Sequence, residues 1–123
     1  MKTVSTTNAP EAIGPYSQAV IANGFIFTSG QIALTSGGKF LDEDIKVQTE
    51  QVLKNLSEIL KSGGSSLDNV VKTTIFLADI GDFATVNEIY AKVFGAHKPA
   101  RSTVGVKSLP KNAKIEIEAV AII

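Results

Sequence analysis

Apolar residues recur along this chain with two periods, and the switches between them mark its elements. Ser17–Ala22 and Phe25–Gly30 are rich in β-formers and flank Asn23-Gly24. Both turn residues tolerate the positive φ of a type I′ turn, so the pattern predicts a hairpin. Thr35–Lys39 reads as a Gly/Ser turn. The period then changes. Ile45, Val52, Leu53, Leu56, Ile59 and Leu60 fall on one helical face, with Asp42 or Asp44 to cap the start and Gly63-Gly64 to end it. Val70–Leu77 is β-branched and aromatic and predicts a strand. A second helix follows from an Asp82 N-cap, with Phe83, Val86, Tyr90, Val93 and Phe94 on one face and Gly95 closing it. Pro99 interrupts. Ser102–Val106 predicts a strand, Ser108–Asn112 a turn, and Lys114–Ile123 a final strand.

The predicted order is hairpin, helix, strand, helix, strand, strand. Two helices cannot cover both faces of such a sheet, so the expected fold is α+β with both helices on one face. The final strand sharpens this. Ile115, Ile117, Ala119, Ala121 and Ile123 alternate with Glu116, Glu118, Val120 and Ile122. Both sets contain branched apolar residues, and a sheet face bathed in water should not. The second face is therefore expected to pack on another subunit, which makes subunit interfaces the places to look for a site.

Composition narrows the function. The 123 residues fit one domain, residues 1–123. Apolar residues make up 44% and the mean hydropathy is +0.18. Twelve basic residues balance twelve acidic ones, which argues against general nucleic-acid binding. No cysteine is present, which excludes disulfides, thiolate catalysis and zinc–thiolate sites. One histidine, His97, leaves no basis for a transition-metal site within a chain. No stretch approaches the roughly 20 apolar residues of a membrane span, and Met1–Pro10 lacks a secretory pattern, so a cytoplasmic protein is expected. The sequon Asn55-Leu56-Ser57 falls inside the first helix and carries no weight.

Standard nucleotide, zinc-protease and serine-hydrolase signatures are missing. What remains is subtler. Pro99-Ala100-Arg101-Ser102-Thr103 runs into a strand, and arginine grips a carboxylate through two parallel hydrogen bonds. On residue chemistry alone, an exposed strand-start arginine is the plainer reading. Glu116 shares a strand side with Val120 and Ile122, where partial desolvation would raise its pKa and suit it to proton transfer. A rim glutamate facing water is its plainer reading. Gly30 permits close approach of a backbone or ligand, or simply ends a strand. Tyr16 can donate a phenolic hydrogen bond or merely pack.

Together these residues resemble the Rid family, the reactive intermediate deaminases also called YjgF-type or L-PSP-like proteins. The resemblance spans essentially the whole chain. It rests on Asn8-Ala9-Pro10, Ile13-Gly14-Pro15-Tyr16, Thr28-Ser29-Gly30-Gln31, Val71-Lys72-Thr73-Thr74, Asp82-Phe83-Ala84-Thr85-Val86-Asn87, Pro99-Ala100-Arg101-Ser102, and Leu109-Pro110-Lys111 with Ile115-Glu116-Ile117-Glu118-Ala119. It implies a chorismate-mutase-like fold, a homotrimer, and a site in each cleft between neighbouring subunits. The implied activity is hydrolysis of short-lived 2-enamine and 2-imino acids to 2-oxo acids and ammonia, without a cofactor.

Position by position, the resemblance makes Arg101 the carboxylate anchor and Glu116 the group that handles the water or proton. Tyr16, Ser29, Gly30, Asn87 and Thr103 match the remaining pocket positions. Many family members carry a cysteine where Thr103 stands, so thiol chemistry there is ruled out in this chain. Two other functions compete: a small-carboxylate-binding regulatory trimer without turnover, and RNA cleavage or translation inhibition. The balanced charge and the lack of a histidine pair weigh against the last.

Overall fold

The Asn23-Gly24 turn forms as its residues require, with φ of 52° and 79°. In the computed structural model, which describes residues 1–123, it joins β2 (Ala19–Ala22) to β3 (Phe25–Thr28). Both strands are shorter than the apolar pattern predicts. A strand before them, β1 (Lys2–Val4), pairs with β2 through Lys2–Ile21 and Val4–Ala19. Sequence pattern gave no sign of it, because three residues are too few to show alternation.

The first helix, α1 (Ile45–Ser62), starts at Asp44, whose Oδ1 accepts from Val47 N at 3.0 Å. Such a cap is worth about 1 kcal/mol. The second strand pattern becomes β4 (Val70–Leu77), and α2 spans Phe83–Phe94. Asp82 precedes α2 but makes no side-chain cap. Asp79 serves instead, accepting from Gly81 N at 2.8 Å in the short turn before the helix. Ile89 rather than Val93 joins the buried face of α2; Val93 stays 40% exposed. β5 (Ala100–Gly105) begins two residues before the predicted Ser102. β6 covers Ile115–Ile122, and Ile123 lies exposed beyond it.

The six strands form one mixed sheet in the order β1-β2-β3-β6-β4-β5. Only β4 and β5 run parallel, joined by the α2 crossover. Both helices lie on one face, and their buried residues, including Val52, Leu56, Val86 and Tyr90, join Ile75 and Ile117 of the sheet in one core. The alternation of β6 holds: Ile115, Ile117, Ala119 and Ala121 are buried, while Glu116, Glu118, Val120 and Ile122 face the other way. That other face has no helix over it. Phe25, Phe27, Val104 and Ile122 are 38–46% exposed there. Neither helix is long and apolar enough to cross a membrane.

Candidate active site

Register decides where Arg101 points. β5 pairs with β4 so that Arg101 lies beside Thr73 and Thr103 beside Ile75. Thr73 and Ile75 are fully buried under the helices. Arg101 and Thr103 therefore turn to the helix side of the sheet. There Arg101 Nη1 donates to Asn87 Oδ1 at 2.7 Å. Its Cζ lies 5.3 Å from the Phe83 ring centroid and 4.9 Å from that of Tyr90. Both distances are within cation–π range. Tyr90 Oη and Thr73 Oγ1 share a hydrogen bond of 2.7 Å. Burial pushes the Tyr90 pKa up, although the Thr73 bond and the Arg101 charge pull the other way.

Arg101 is the chain's only arginine, and no carboxylate neutralises it. The single ion pair joins Lys61 to Glu58 at 3.9 Å. A cavity of about 350 Å³ opens beside the guanidinium, lined by Asn87, Tyr90, Phe94, His97, Lys98 and Arg101 among others. No acidic residue lines it. His97 Nε2 lies 2.6 Å from the carbonyl oxygen of Val70, so that nitrogen donates and ties the loop to β4.

Glu116 belongs to the opposite face. It pairs with Phe76 across β4 and β6, out of phase with the buried Ile115 and Ile117. Its carboxylate folds over Gly30, where any Cβ would collide with it. Glycine at position 30 thus serves the close approach that its place at a strand end allows, and the approaching group is Glu116. Burial raises the Glu116 pKa above the ordinary glutamate value, and the Glu118 carboxylate adds to the rise. A second cavity of about 350 Å³ includes Tyr16, Gln18, Gly30, Ile32, Pro110 and Glu116 in its wall. Tyr16 is 54% exposed at its mouth.

The predicted residues therefore fall into two sets. Arg101 and Asn87 share one cavity; Glu116, Gly30 and Tyr16 share the other. The sheet stands between them. Ser29 and Thr103 line neither cavity. The Ser29 hydroxyl donates to the Ser17 carbonyl at 2.5 Å, clamping the loop that carries Gly30. Thr103 Oγ1 is buried without a hydrogen-bond partner. Phe83 and Tyr90, which the apolar pattern assigns to the core, also touch the guanidinium. Their spacing with Asn87, at i, i+4 and i+7, was the signal that could have found them. No three His, Asp or Glu side chains converge anywhere in the chain as a metal-holding group would.

Residues 6–123 match the family described as endoribonuclease L-PSP. The chain is 60% identical over 119 residues to Reactive Intermediate Deaminase A, chloroplastic, of Arabidopsis thaliana, covering 96% of this chain and 64% of the plant protein. It is 52% identical over 122 residues to the Homo sapiens 2-iminobutanoate/2-iminopropanoate deaminase, covering 98% of this chain and 89% of that one. Its fold matches the crystal structure of E. coli TdcF with bound serine at a TM-score of 0.95 and 41% identity, covering 100% of this chain and 99% of that one. The chain belongs to the endoribonuclease L-PSP family, the Rid family that its motifs resemble.

Proposed function

We propose that this chain hydrolyses reactive 2-enamine and 2-imino acids, such as 2-iminobutanoate and 2-iminopropanoate, to 2-oxo acids and ammonia. The sites lie between neighbouring copies in a homotrimer, each joining the Arg101 cavity of one subunit to the Glu116 cavity of the next. The observation that carries this reading is the uncompensated Arg101 guanidinium beside an acid-free cavity. Such a charge is suited to hold a small carboxylate. The names of the plant and human relatives support the reaction, and the serine bound in E. coli TdcF supports a ligand of amino-acid size. The exposed Phe25, Phe27 and Ile122 support a subunit partner on the open face.

The chemistry asks little of the protein. A protonated imine is already electrophilic, so positioning does most of the work. Arg101 and Asn87 hold the carboxylate end. Tyr16 and Gly30 wall the pocket, Ser29 clamps the loop that carries Gly30, and Thr103 follows Arg101 on the same side of β5. Glu116 takes a proton from water as the water oxygen bonds to the imine carbon. It returns that proton to the nitrogen, then takes the remaining hydroxyl proton as the C–N bond breaks and the carbonyl forms; ammonia leaves with that proton as ammonium, and the 2-oxo acid is released. A carboxyl group with a raised pKa suits both halves of this exchange.

The test couples purified protein to a threonine dehydratase and follows 2-oxobutanoate release. Wild type should speed release above the buffer rate, and Arg101→Ala should return it to that rate. Equal rates with wild type and buffer would remove the deaminase. A carboxylate-binding regulator is the second reading, favoured by the serine bound in E. coli TdcF. Calorimetric binding of 2-oxobutanoate without any acceleration would put it first. RNA cleavage fits less well, since the net charge is zero and the one histidine is tied to Val70.

A further inference from the structure

We propose that Tyr90 and Phe83 are positioning residues: with Asn87 they hold the Arg101 guanidinium ready for an anion using only neutral groups, and Thr73 pins the Tyr90 ring in place. The identity of the anion rests on the deaminase reading; the clamp itself does not.

An arginine side chain is long and flexible, and a free one loses conformational freedom when it binds. Proteins often fix it with a carboxylate, but a carboxylate here would cancel the charge that attracts the substrate. This chain uses a different set. Phe83, Asn87 and Tyr90 stand at i, i+4 and i+7 on α2, so one helix face presents ring, amide and ring in a row. The guanidinium lies 5.3 Å from one ring centroid and 4.9 Å from the other. Ring faces attract the cation without consuming any of its five N–H donors. Asn87 takes one at Nη1. The rest stay available for a two-point grip on a carboxylate.

The rings are themselves held. Tyr90 is 7% exposed, and Phe94 packs against it with centroids 4.5 Å apart. Its hydroxyl meets Thr73, which sits directly beside Arg101 in the β4/β5 register. Strand rung and helix face thus fix ring and guanidinium relative to one another. Burial keeps the phenol protonated, so Tyr90 brings no negative charge of its own.

The experiment compares wild type with Tyr90→Leu, Tyr90→Phe and Phe83→Leu. Three readouts are taken: 2-oxobutanoate affinity by calorimetry, the KM and kcat of imine hydrolysis, and the ¹⁵N NMR signals of the guanidinium. With one arginine in the chain those signals need no assignment. Tyr90→Leu should raise Kd and KM by roughly tenfold, change kcat little, and merge Nη signals that are distinct in wild type. Tyr90→Phe keeps the ring and should recover most of that loss. A folded Tyr90→Leu with wild-type affinity and wild-type guanidinium signals would overturn the clamp. So would a Tyr90→Phe variant as impaired as Tyr90→Leu, because the ring would then not be the holding group. If Tyr90→Leu does not fold, the half-buried Phe83→Leu decides by the same readouts. If wild type neither binds 2-oxobutanoate nor turns over imine, the deaminase reading fails, and the guanidinium signals alone still decide the clamp.

Discussion

The two halves of the candidate site are built in different ways. The arginine half sits on regular elements, with a strand rung and a helix face meeting over Thr73, and its polar contacts close within one chain. The glutamate half is a strand residue bent over a glycine, walled by the loops that carry Tyr16 and Pro110. One half has its contacts complete within one chain. The other carries the carboxyl group whose pKa burial raises, and it lies toward the helix-free face. The sheet divides them, with Arg101 on its helix side and Glu116 on the other. The proposed reaction needs both, and the proposed trimer would supply them from two chains that meet at the open face.

The largest expected effect follows from that division. Arg101→Ala and Glu116→Ala should each be nearly inactive alone. Each loses either the carboxylate grip or a proton-transfer group worth about 10²–10⁴ in rate. Mixed trimers refolded or co-expressed from equal amounts of the two variants should regain activity. In a ring where each site takes Arg101 from one subunit and Glu116 from its neighbour, about a quarter of the sites are intact. Activity that stays at the level of the single variants would show that no site is shared in this way.

Much of this was legible in the sequence, and what was not is non-local. The Asn23-Gly24 turn, α1 and the alternation of β6 follow from neighbours a few residues apart. The two-sided apolar pattern of β6 even pointed to the open face. The start of β5 did not, because Pro99 reads as an interruption, while Ala100 and Arg101 already pair with Lys72 and Thr73 from across the α2 crossover. The direction of Arg101 depends on that same register. β1 exists only by pairing with β2. Phe83 and Tyr90 read as core, correctly in part; the helix face they share with Asn87 is legible locally, and the guanidinium that lies over it is not. For Arg101 and Glu116 the resemblance supplied roles, and only the fold reveals that they occupy opposite faces.

A smaller effect concerns the acid–base setting of the glutamate half. Burial raises the Glu116 pKa first, and Glu118 raises it further. The carboxylate form accepts the water proton, so kcat/KM should fall as pH drops through this raised value. The acid limb should therefore lie above the ordinary glutamate range. Glu118→Gln removes the lesser cause and should move the limb down, while Glu116→Gln should abolish the limb along with most of the rate. Stability carries the matching sign. The folded chain holds this proton more tightly than the unfolded one, so stability falls as pH rises from the ordinary value to the raised one. Glu116→Gln should flatten that decline. A limb that ignores Glu118→Gln would separate the two carboxylates electrostatically.

The smallest effect probes the arginine half at its one imperfection. Thr103 faces the helix side two residues after Arg101, yet its hydroxyl is buried with no partner. A buried hydroxyl left without a hydrogen bond costs about 1–3 kcal/mol. Valine has nearly the same shape and no such group. Thr103→Val should therefore stabilise the chain by about 1 kcal/mol, seen as a higher midpoint in urea with an unchanged slope. The same variant tests whether the hydroxyl waits for a ligand. Its gain in stability should shrink when 2-oxobutanoate is present at saturation if the ligand supplies the missing partner, because wild type alone then gains that bond. An equal gain with and without ligand would place the Thr103 hydroxyl out of the ligand's reach, and the proposed carboxylate grip would then rest on Arg101 and Asn87 alone.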